Sequence, residues 1–210
     1  LEGELNHASE QNCNLVYIYS QKQIREKNSG KFAVVDVGGQ VKFLKKLNKI
    51  PDHVESKQNI VEYKQHYASP EIVELAYLSG QLSRFRVDPL LPIESFEKLY
   101  KIWIDNIINQ ASEASAYVYY NKGKAIGIIT YEYIQDTCII GLLAVQPSYQ
   151  GLGIGTQLIK QVENLCIKNS VYNLEVKTQI SNEKAQSLYI KNSFVEVHRT
   201  FLYHAHMLPG

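Results

Sequence analysis

The sequence lacks most of the marks of specialised chemistry. Of its 210 residues three are cysteine, and Cys13, Cys138 and Cys166 show no CxxC pair and no metal-type spacing. Cys138 lies in an apolar run and Cys166 on the apolar stripe of a helical pattern, so both read as small buried hydrophobes. An odd count without a framework points to a reducing compartment, and a cytoplasmic location is expected. A surplus of one charge is also missing. Lys and Arg total 22 against 21 Asp and Glu, a formal net charge of +1, which leaves nothing to advertise nucleic acid or an anionic membrane as partner. Binding a small anion needs only local charge and stays open. The longest apolar stretch, CIIGLLAV, falls far short of the roughly 20 residues that span a bilayer. The opening LEGELNHASEQ is polar and does not read as a signal peptide.

What is present fits a globular protein of one or two domains, 45% hydrophobic and 20% charged. NLVYIYS (14–20) and KFAVVDVGGQVKFLKKL (31–47) read as strands around one helix, QKQIREKNSG, stopped at Asn28 and Gly30. The Lys- and Asn-rich stretch 45–59 reads as an exposed connector, and a division follows into a small N-terminal α/β domain (1–62) and a larger one (63–210). In the second part Ser69 is a candidate N-cap with Pro70 at the first helical position. From 94 to 109 Phe96, Leu99, Tyr100, Trp103, Ile104, Ile107 and Ile108 recur at three-and-four spacing, a helix. Strands follow at 115–121, 124–134 and 137–147, then a helix at 153–168, a strand at 173–180, a helix at 182–192 and a strand at 194–208. A meander, a crossover helix and two more strands around a helix imply an α/β fold built on a mixed sheet.

Between the third strand of the meander and its crossover helix stands QGLGIG (150–155). Such a turn leaves helix N-terminal amides unpaired at the positive end of the dipole, a seat for phosphate. Glycine allows positive φ and close approach of an anion. Gln150 adds a side-chain donor and Thr156 a hydroxyl. A P-loop would need Lys and then Ser/Thr after the last glycine, and a dinucleotide fold would need G-x-G-x-x-G; neither pattern is met. A coenzyme A pyrophosphate remains, beside the plainer reading of a glycine-rich turn without a ligand.

Gln150-Gly151-Leu152-Gly153-Ile154-Gly155 resembles the Q/R-x-x-G-x-G/A signature of the GCN5-related N-acetyltransferases (GNAT). A second segment, with Asn182, Ala185, Leu188, Tyr189 and Phe194, resembles that family's N-x-x-A-x-x-L-Y-x-x-x-G-F run, departing at Ser193 where the family has Gly. The resemblance covers roughly 65–208. It implies a GNAT fold and transfer of an acetyl group from acetyl-CoA to an amine. It also implies that the strand before the glycine turn splays from its neighbour, so that Leu143, Ala144 and Val145 pair with the pantetheine arm. Pyrophosphate would fall to Gln150, Gly151, Leu152, Gly153, Ile154, Gly155 and Thr156, and the pantetheine end to Asn182 and Leu188. Tyr189 would protonate the leaving thiolate, its phenol having an ordinary pKa of about 10; alone it reads equally as a core aromatic. Glu132, on a central strand, is either a general base or an outward-facing structural residue.

The segment LSGQLSRFRVDPLLPIESFEKLYKIWIDNII (78–108), with IGLLA (140–144) and TFLYH (200–204), is similar to the dTDP-fucosamine acetyltransferases. That similarity implies a nucleotide-linked amino-deoxysugar as acceptor, with Arg84 and Arg86 as partners of its diphosphate. The two arginines also fit solvated loop positions. An ordinary-length pyrophosphate loop departs from that group and leaves another amino sugar, a protein N-terminus, a polyamine or an antibiotic as acceptors. A non-catalytic CoA-binding module is the alternative from a different class. Homodimer formation is open. His204 and His206 share a strand face, a spacing a metal pair can use, but no third ligand is visible and no metal is expected.

Overall fold

Most of the elements read from the sequence are found in the computed structural model, which describes residues 2–11, 13–25, 28–48 and 59–208. The chain runs α1 (Glu2–Glu10), β1 (Leu15–Ser20), β2 (Asn28–Ser29), β3 (Phe32–Lys46), β4 (Ile60–Glu62), α2 (Pro70–Ser79), α3 (Arg84–Val87), α4 (Ile93–Ile108), β5 (Ser115–Asn121), β6 (Lys124–Ile134), β7 (Thr137–Val145), a 3₁₀ turn at Pro147–Tyr149, α5 (Ile154–Lys168), β8 (Asn173–Gln179), α6 (Glu183–Lys191) and β9 (Val195–Met207). Among the described residues no helix is long and apolar enough to cross a membrane.

One nine-stranded sheet runs in the order β1-β9-β3-β8-β7-β6-β5-β4, with β2 paired to β3 off that path. It is mixed, as expected: β7 and β8 are parallel because α5 crosses between them, and the other pairs are antiparallel. The division at 62/63 does not coincide with a break in this sheet. β3 lies between β8 and β9, β1 pairs with β9, and β4 pairs with β5, so strands from both sides of the division share one hydrogen-bonded layer. Pairings between segments over a hundred residues apart leave no local trace in sequence.

Two other readings change. The stretch 21–30 is no helix: 21–25 are irregular, and Asn28–Ser29 pair with Ala33 and Phe32 in a hairpin turned at Gly30, φ +58. The polar opening segment is itself a helix, α1, whose Leu5 covers Phe32, Val34, Tyr203 and Ala205. Ser69 does occupy the N-cap of α2, but its hydroxyl donates to Glu71 and caps no backbone amide. Leu47 is buried, so the connector begins later than read; 49–58 lie outside the described residues.

Two layers of helix enclose the sheet. α2 and α4 bury Ile72, Leu75, Ala76, Ile104 and Ile108 against Val118, Ile128 and Ala144. On the other side α5 buries Leu158, Ile159, Val162 and Cys166, and α6 contributes Tyr189, against Val41, Phe43, Ile129, Ile140 and Val176. Each fully buried aliphatic side chain in these layers contributes on the order of 2 kcal/mol.

The feature that shapes the functional region is an irregularity in β7. Ile129 pairs with Leu143 and Tyr131 with Ile140, so Thr130 alone faces both Gly141 and Leu142. This is a bulge on β7, and bulges bend the strand that carries the extra residue. The buried Thr130 hydroxyl accepts the Leu142 amide at 2.7 Å. A Cβ at Gly141 would lie 2.7 Å from that hydroxyl, so the position is closed to larger residues. The ladder between β7 and β8 ends at the same point, with Ile140 opposite Val176. Beyond it β7 stays paired to β6 as far as Val145, and β8 stays paired to β3 as far as Gln179. The two strands part, and the sheet opens between them.

Replacing Thr130 with Val leaves the Leu142 amide without its buried acceptor. Urea unfolding of Thr130→Val is expected to show a loss of about 1–3 kcal/mol, and Thr130→Ser, which keeps the hydroxyl, a smaller loss.

Candidate active site

The opening between β7 and β8 gives Leu143, Ala144 and Val145 no strand partner on the β8 side. Leu143 and Val145 pack toward the α5 layer and Ala144 is buried toward α2, which fixes the backbone that borders the opening. An extended ligand entering here meets an unpaired strand edge, the arrangement by which a chain adds to a sheet.

The loop that follows leads from this edge to the head of α5. Gly151 and Gly153 have φ of +78 and +77, and an added Cβ at either would meet open space or nothing nearer than 3.9 Å. They are glycines for their left-handed backbone. Gly155 is different: a Cβ there would come within 3.1 Å of Leu188, so its bareness lets α6 pack against α5. The third glycine, read as part of the anion seat, is in structure a helix–helix contact. Gly153 is the N-cap of α5 with no side-chain cap on the first turn. Leu152 is 65% exposed, whereas Ile154 is buried. The head of a 15-residue helix thus faces outward with no side chain capping its first amides, where the dipole favours an anion.

Two side chains read as phosphate ligands are engaged elsewhere. Gln150 Nε2 donates to the Val145 carbonyl at 3.0 Å, bracing the loop against the end of β7. The Thr156 hydroxyl accepts from Asn192 Nδ2 at 3.2 Å, and the same amide donates to the Leu188 carbonyl at 2.8 Å. Asn182 is the N-cap of α6, its Oδ1 accepting the Ala185 amide at 3.1 Å. Where the family has glycine, Ser193 itself takes the left-handed turn, φ +64, and the Phe194 amide closes on the Tyr189 carbonyl at 3.0 Å.

Tyr189 is 4% exposed, its ring centre 5.7 Å from those of Phe43 and Phe194. Burial pushes its phenol well above the usual range, so it stays protonated at neutral pH. Glu132 stands opposite Ile139, one step before the two strands part, and is half-buried.

Arg84 and Arg86 sit on α3. Arg86 is exposed, whereas Arg84 lies in an aromatic cluster, its guanidinium carbon 4.6 Å from the Tyr17 ring centre, 4.7 Å from Phe85 and 5.4 Å from Tyr19, whose hydroxyl it contacts. Tyr17 and Tyr19 come from β1, so the N-terminal segment supplies one wall of this surface. The sequence reading missed them because nothing local ties β1 to α3.

It also missed Asp88. This buried carboxylate follows α3, and its Oδ2 lies 2.6 Å from His204 Nδ1 and 2.7 Å from His206 Nε2. Its Oδ1 accepts the Leu90 amide at 2.9 Å. Burial alone would raise the Asp88 carboxyl, but the hydrogen bonds from Leu90 and the two histidines outweigh it and hold the acid below the usual range. The two histidines therefore do have a third partner of metal-ligand type, 116 residues distant from His204. Its contacts to the two histidines are of hydrogen-bond length. Each histidine meets Asp88, and the three ligand atoms lie within 4.8 Å of one another.

Residues 81–194, more than half of the chain, match the Acetyltransferase (GNAT) family. The chain belongs to that family. It is 27% identical over 139 residues to the spore coat polysaccharide biosynthesis protein SpsD of Bacillus subtilis (strain 168), covering 66% of this chain and 47% of that protein. It is also 27% identical over 125 residues to N-alpha-acetyltransferase 50 of Danio rerio, covering 58% of this chain and 71% of that one. The chain thus spans about half the length of SpsD. In fold it is similar to a GCN5-related N-acetyltransferase from Sphaerobacter thermophilus, with a TM-score of 0.61, 17% identity and coverage of 99% of this chain and 66% of that one. It is similar as well to the PaiA N-acetyltransferase of Thermoplasma acidophilum solved with coenzyme A, with a TM-score of 0.54, 20% identity and coverage of 69% and 97%. The narrower similarity to dTDP-fucosamine acetyltransferases rests on the sequence segments alone.

Asn182 offers a separable test of structure. Asn182→Ala removes the α6 cap and is expected to lower stability by about 1 kcal/mol, while Asn182→Asp keeps an acceptor and stays within a few tenths of wild type. Thermal unfolding of the two variants checks this.

Proposed function

We propose that this protein transfers the acetyl group of acetyl-CoA to a primary amine in a ternary complex. The observation that carries the proposal is the continuity of two features: the strand edge opened at Ile140 and the uncapped head of α5. Pantetheine lies along Leu143, Ala144 and Val145 as an added strand, and the pyrophosphate rests on the loop from Gln150 to Thr156. An amide of the opened edge polarises the thioester carbonyl as negative charge develops on it. Asn182 and Leu188 border the pantetheine end. In the cytoplasm, where Cys138 and Cys166 stay reduced, acetyl-CoA is the co-substrate and no metal is required.

In the reaction the neutral amine attacks the acetyl carbon, the C–N bond forms and the C–S bond breaks. Tyr189 Oη gives its proton to the departing thiolate. The dry surroundings that hold the phenol protonated also raise the basicity of the thiolate, which keeps the transfer matched.

The acceptor we propose is a nucleotide-linked amino-deoxysugar of the dTDP type. It is supported by a relative in polysaccharide biosynthesis and by the surface around Arg84, where a guanidinium stacked on aromatic rings suits a diphosphate beside a planar base or sugar ring. Arg86 extends the positive charge, and Glu132 lies on the acceptor side. The match to an N-alpha-acetyltransferase favours a second reading, a protein N-terminus.

An acetyl-transfer assay over dTDP-4-amino-4,6-dideoxygalactose, other amino-sugar nucleotides, polyamines and peptides tests both readings. Nucleotide sugars are expected to be preferred, and a preference for peptides contradicts the first reading. Tyr189→Phe is expected to lower kcat by at least about 100-fold with the affinity for acetyl-CoA unchanged; an unaltered kcat removes the acid role.

A further inference from the structure

Asp88, His204 and His206 are the one group of three metal-ligating side chains that converges among the described residues, their ligand atoms within 4.8 Å of one another. The acetyl transfer proposed above uses none of them. His204 and His206 stand two positions apart on β9, so both rings leave the same face of the sheet. β9 is held on both sides there. His204 pairs with Tyr17 of β1 and Val35 of β3, and His206 with Leu15 and Ala33. Two ligands on a strand flanked in this way keep their spacing. Asp88 reaches them from the end of α3, and the proline that follows holds its backbone extended, φ −71 and ψ 114.

The carboxylate is oriented as a ligand would be. Its Oδ1 accepts the Leu90 amide at 2.9 Å, which leaves Oδ2 for the histidines, 2.6 Å from His204 Nδ1 and 2.7 Å from His206 Nε2. Hydrogen bonds of this kind to the outer oxygen fix ligating carboxylates in metal sites. The side chains of Asp88 and His204 are fully buried, and that of His206 is 14% exposed. A buried carboxylate is retained by a charged partner or by a metal. Among the described residues no Lys or Arg pairs with Asp88; Arg84, on the helix just before it, turns its guanidinium onto the rings of Tyr17 and Phe85. The partners Asp88 does have are two imidazoles, groups that can share its hydrogen bonds or join it around an ion.

We propose that Asp88 Oδ2, His204 Nδ1 and His206 Nε2 bind one divalent ion of the zinc type, which ties the segment after α3 to β9. Two imidazole nitrogens and one carboxylate oxygen suit zinc and its first-row neighbours, whereas calcium and magnesium take oxygen ligands. With Oδ1 committed to Leu90, Asp88 supplies a single oxygen, and three protein ligands leave a fourth position for water. His206 is the one ligand with exposed surface, so the ion enters on its side. Without the ion each ring donates an N–H to Oδ2. As the ion binds, Oδ2 withdraws to admit it and both nitrogens present lone pairs, so the ring hydrogen moves to Nε2 of His204 and to Nδ1 of His206. Neutral rings release no net proton in this exchange. The ion takes no step in the transfer; it fixes the segment that carries Arg84, and the inference does not rest on the acetyl-transfer reading.

The test takes the full chain stripped with a chelator and dialysed, adds zinc, and measures metal content after gel filtration. One zinc per chain is expected, with a raised thermal midpoint. Cobalt(II) in its place is expected to give the visible ligand-field absorption of a four-coordinate site. His206→Ala is expected to bind zinc at least about 100-fold more weakly and to lose the zinc-dependent rise in midpoint. His198→Ala, on the same strand but outside the cluster, keeps both. Should His206→Ala fail to fold, imidazole NMR on the wild-type protein decides. A His204 hydrogen that moves from Nδ1 to Nε2 on adding zinc supports the site, and an Nδ1–H tautomer that persists under saturating zinc overturns it. A wild type that retains no zinc overturns it as well, and so does a His206→Ala variant that retains as much as wild type, the mark of adsorption elsewhere. None of these readouts depends on acetyl transfer, so failure of the site and failure of the function proposed above are read separately.

Discussion

Thr130 faces two residues of the neighbouring strand, and the bond from the Leu142 amide to its hydroxyl fixes where β7 leaves β8. Much of the proposed functional region follows from that constraint. A regular ladder would carry β7 and β8 side by side to their ends and leave no edge for a ligand. With Gly141 and Leu142 opposed to one residue, β7 bends, the parallel ladder stops at Ile140 and Val176, and the next residues keep a partner on one side only. The glycine loop then carries the chain from this edge to the head of α5. Strand edge and helix dipole are thus joined by the eight residues 146–153, short enough for the two ends of one elongated cofactor.

The rest of the architecture holds this arrangement still. β3 runs the length of β8 and keeps it straight where β7 departs. Gln150 ties the loop to Val145, Asn192 ties the first turn of α5 to α6, and Gly155 lets Leu188 settle against α5. These side chains restrain the loop from within and leave the outward amides of the α5 head without side-chain caps. Beside them the N-terminal segment reaches across the sheet, so that β1 and β9 contribute Tyr17, Tyr19 and His204 to the surface around Arg84 and Asp88.

Local physics was legible in the sequence, and pairing between distant segments was not. The three-and-four spacing over 94–109 and the apolar strand runs within 115–147 gave elements that form almost as read, because these signals are local. The glycines at 151 and 153 were readable as backbone features, since only a left-handed turn explains two of them so close together. Asn182 showed the other side of this: a residue known from a motif turned out to hold a helix cap, a role that its place before Glu183-Lys184-Ala185 already permitted. QKQIREKNSG misled because helix-tolerant residues there are overridden by pairing of Asn28 and Ser29 with β3. Asp88 was hidden for a similar reason. Its partners lie 116 and 118 positions away, and the only local signal was a turn-forming Asp before Pro89.

In the binding mode we propose, the opening between β7 and β8 receives the pantetheine arm of coenzyme A while the α5 head holds its pyrophosphate. Backbone amide NMR of the labelled protein, titrated with coenzyme A, tests it most directly. Amides of Gly141–Val145 and Gly151–Thr156 are expected to shift together with one binding isotherm and gain protection from solvent exchange, while those of Lys42–Lys46 do not. Saturable binding that leaves the 141–145 amides unmoved, or no binding at millimolar concentration, would contradict it.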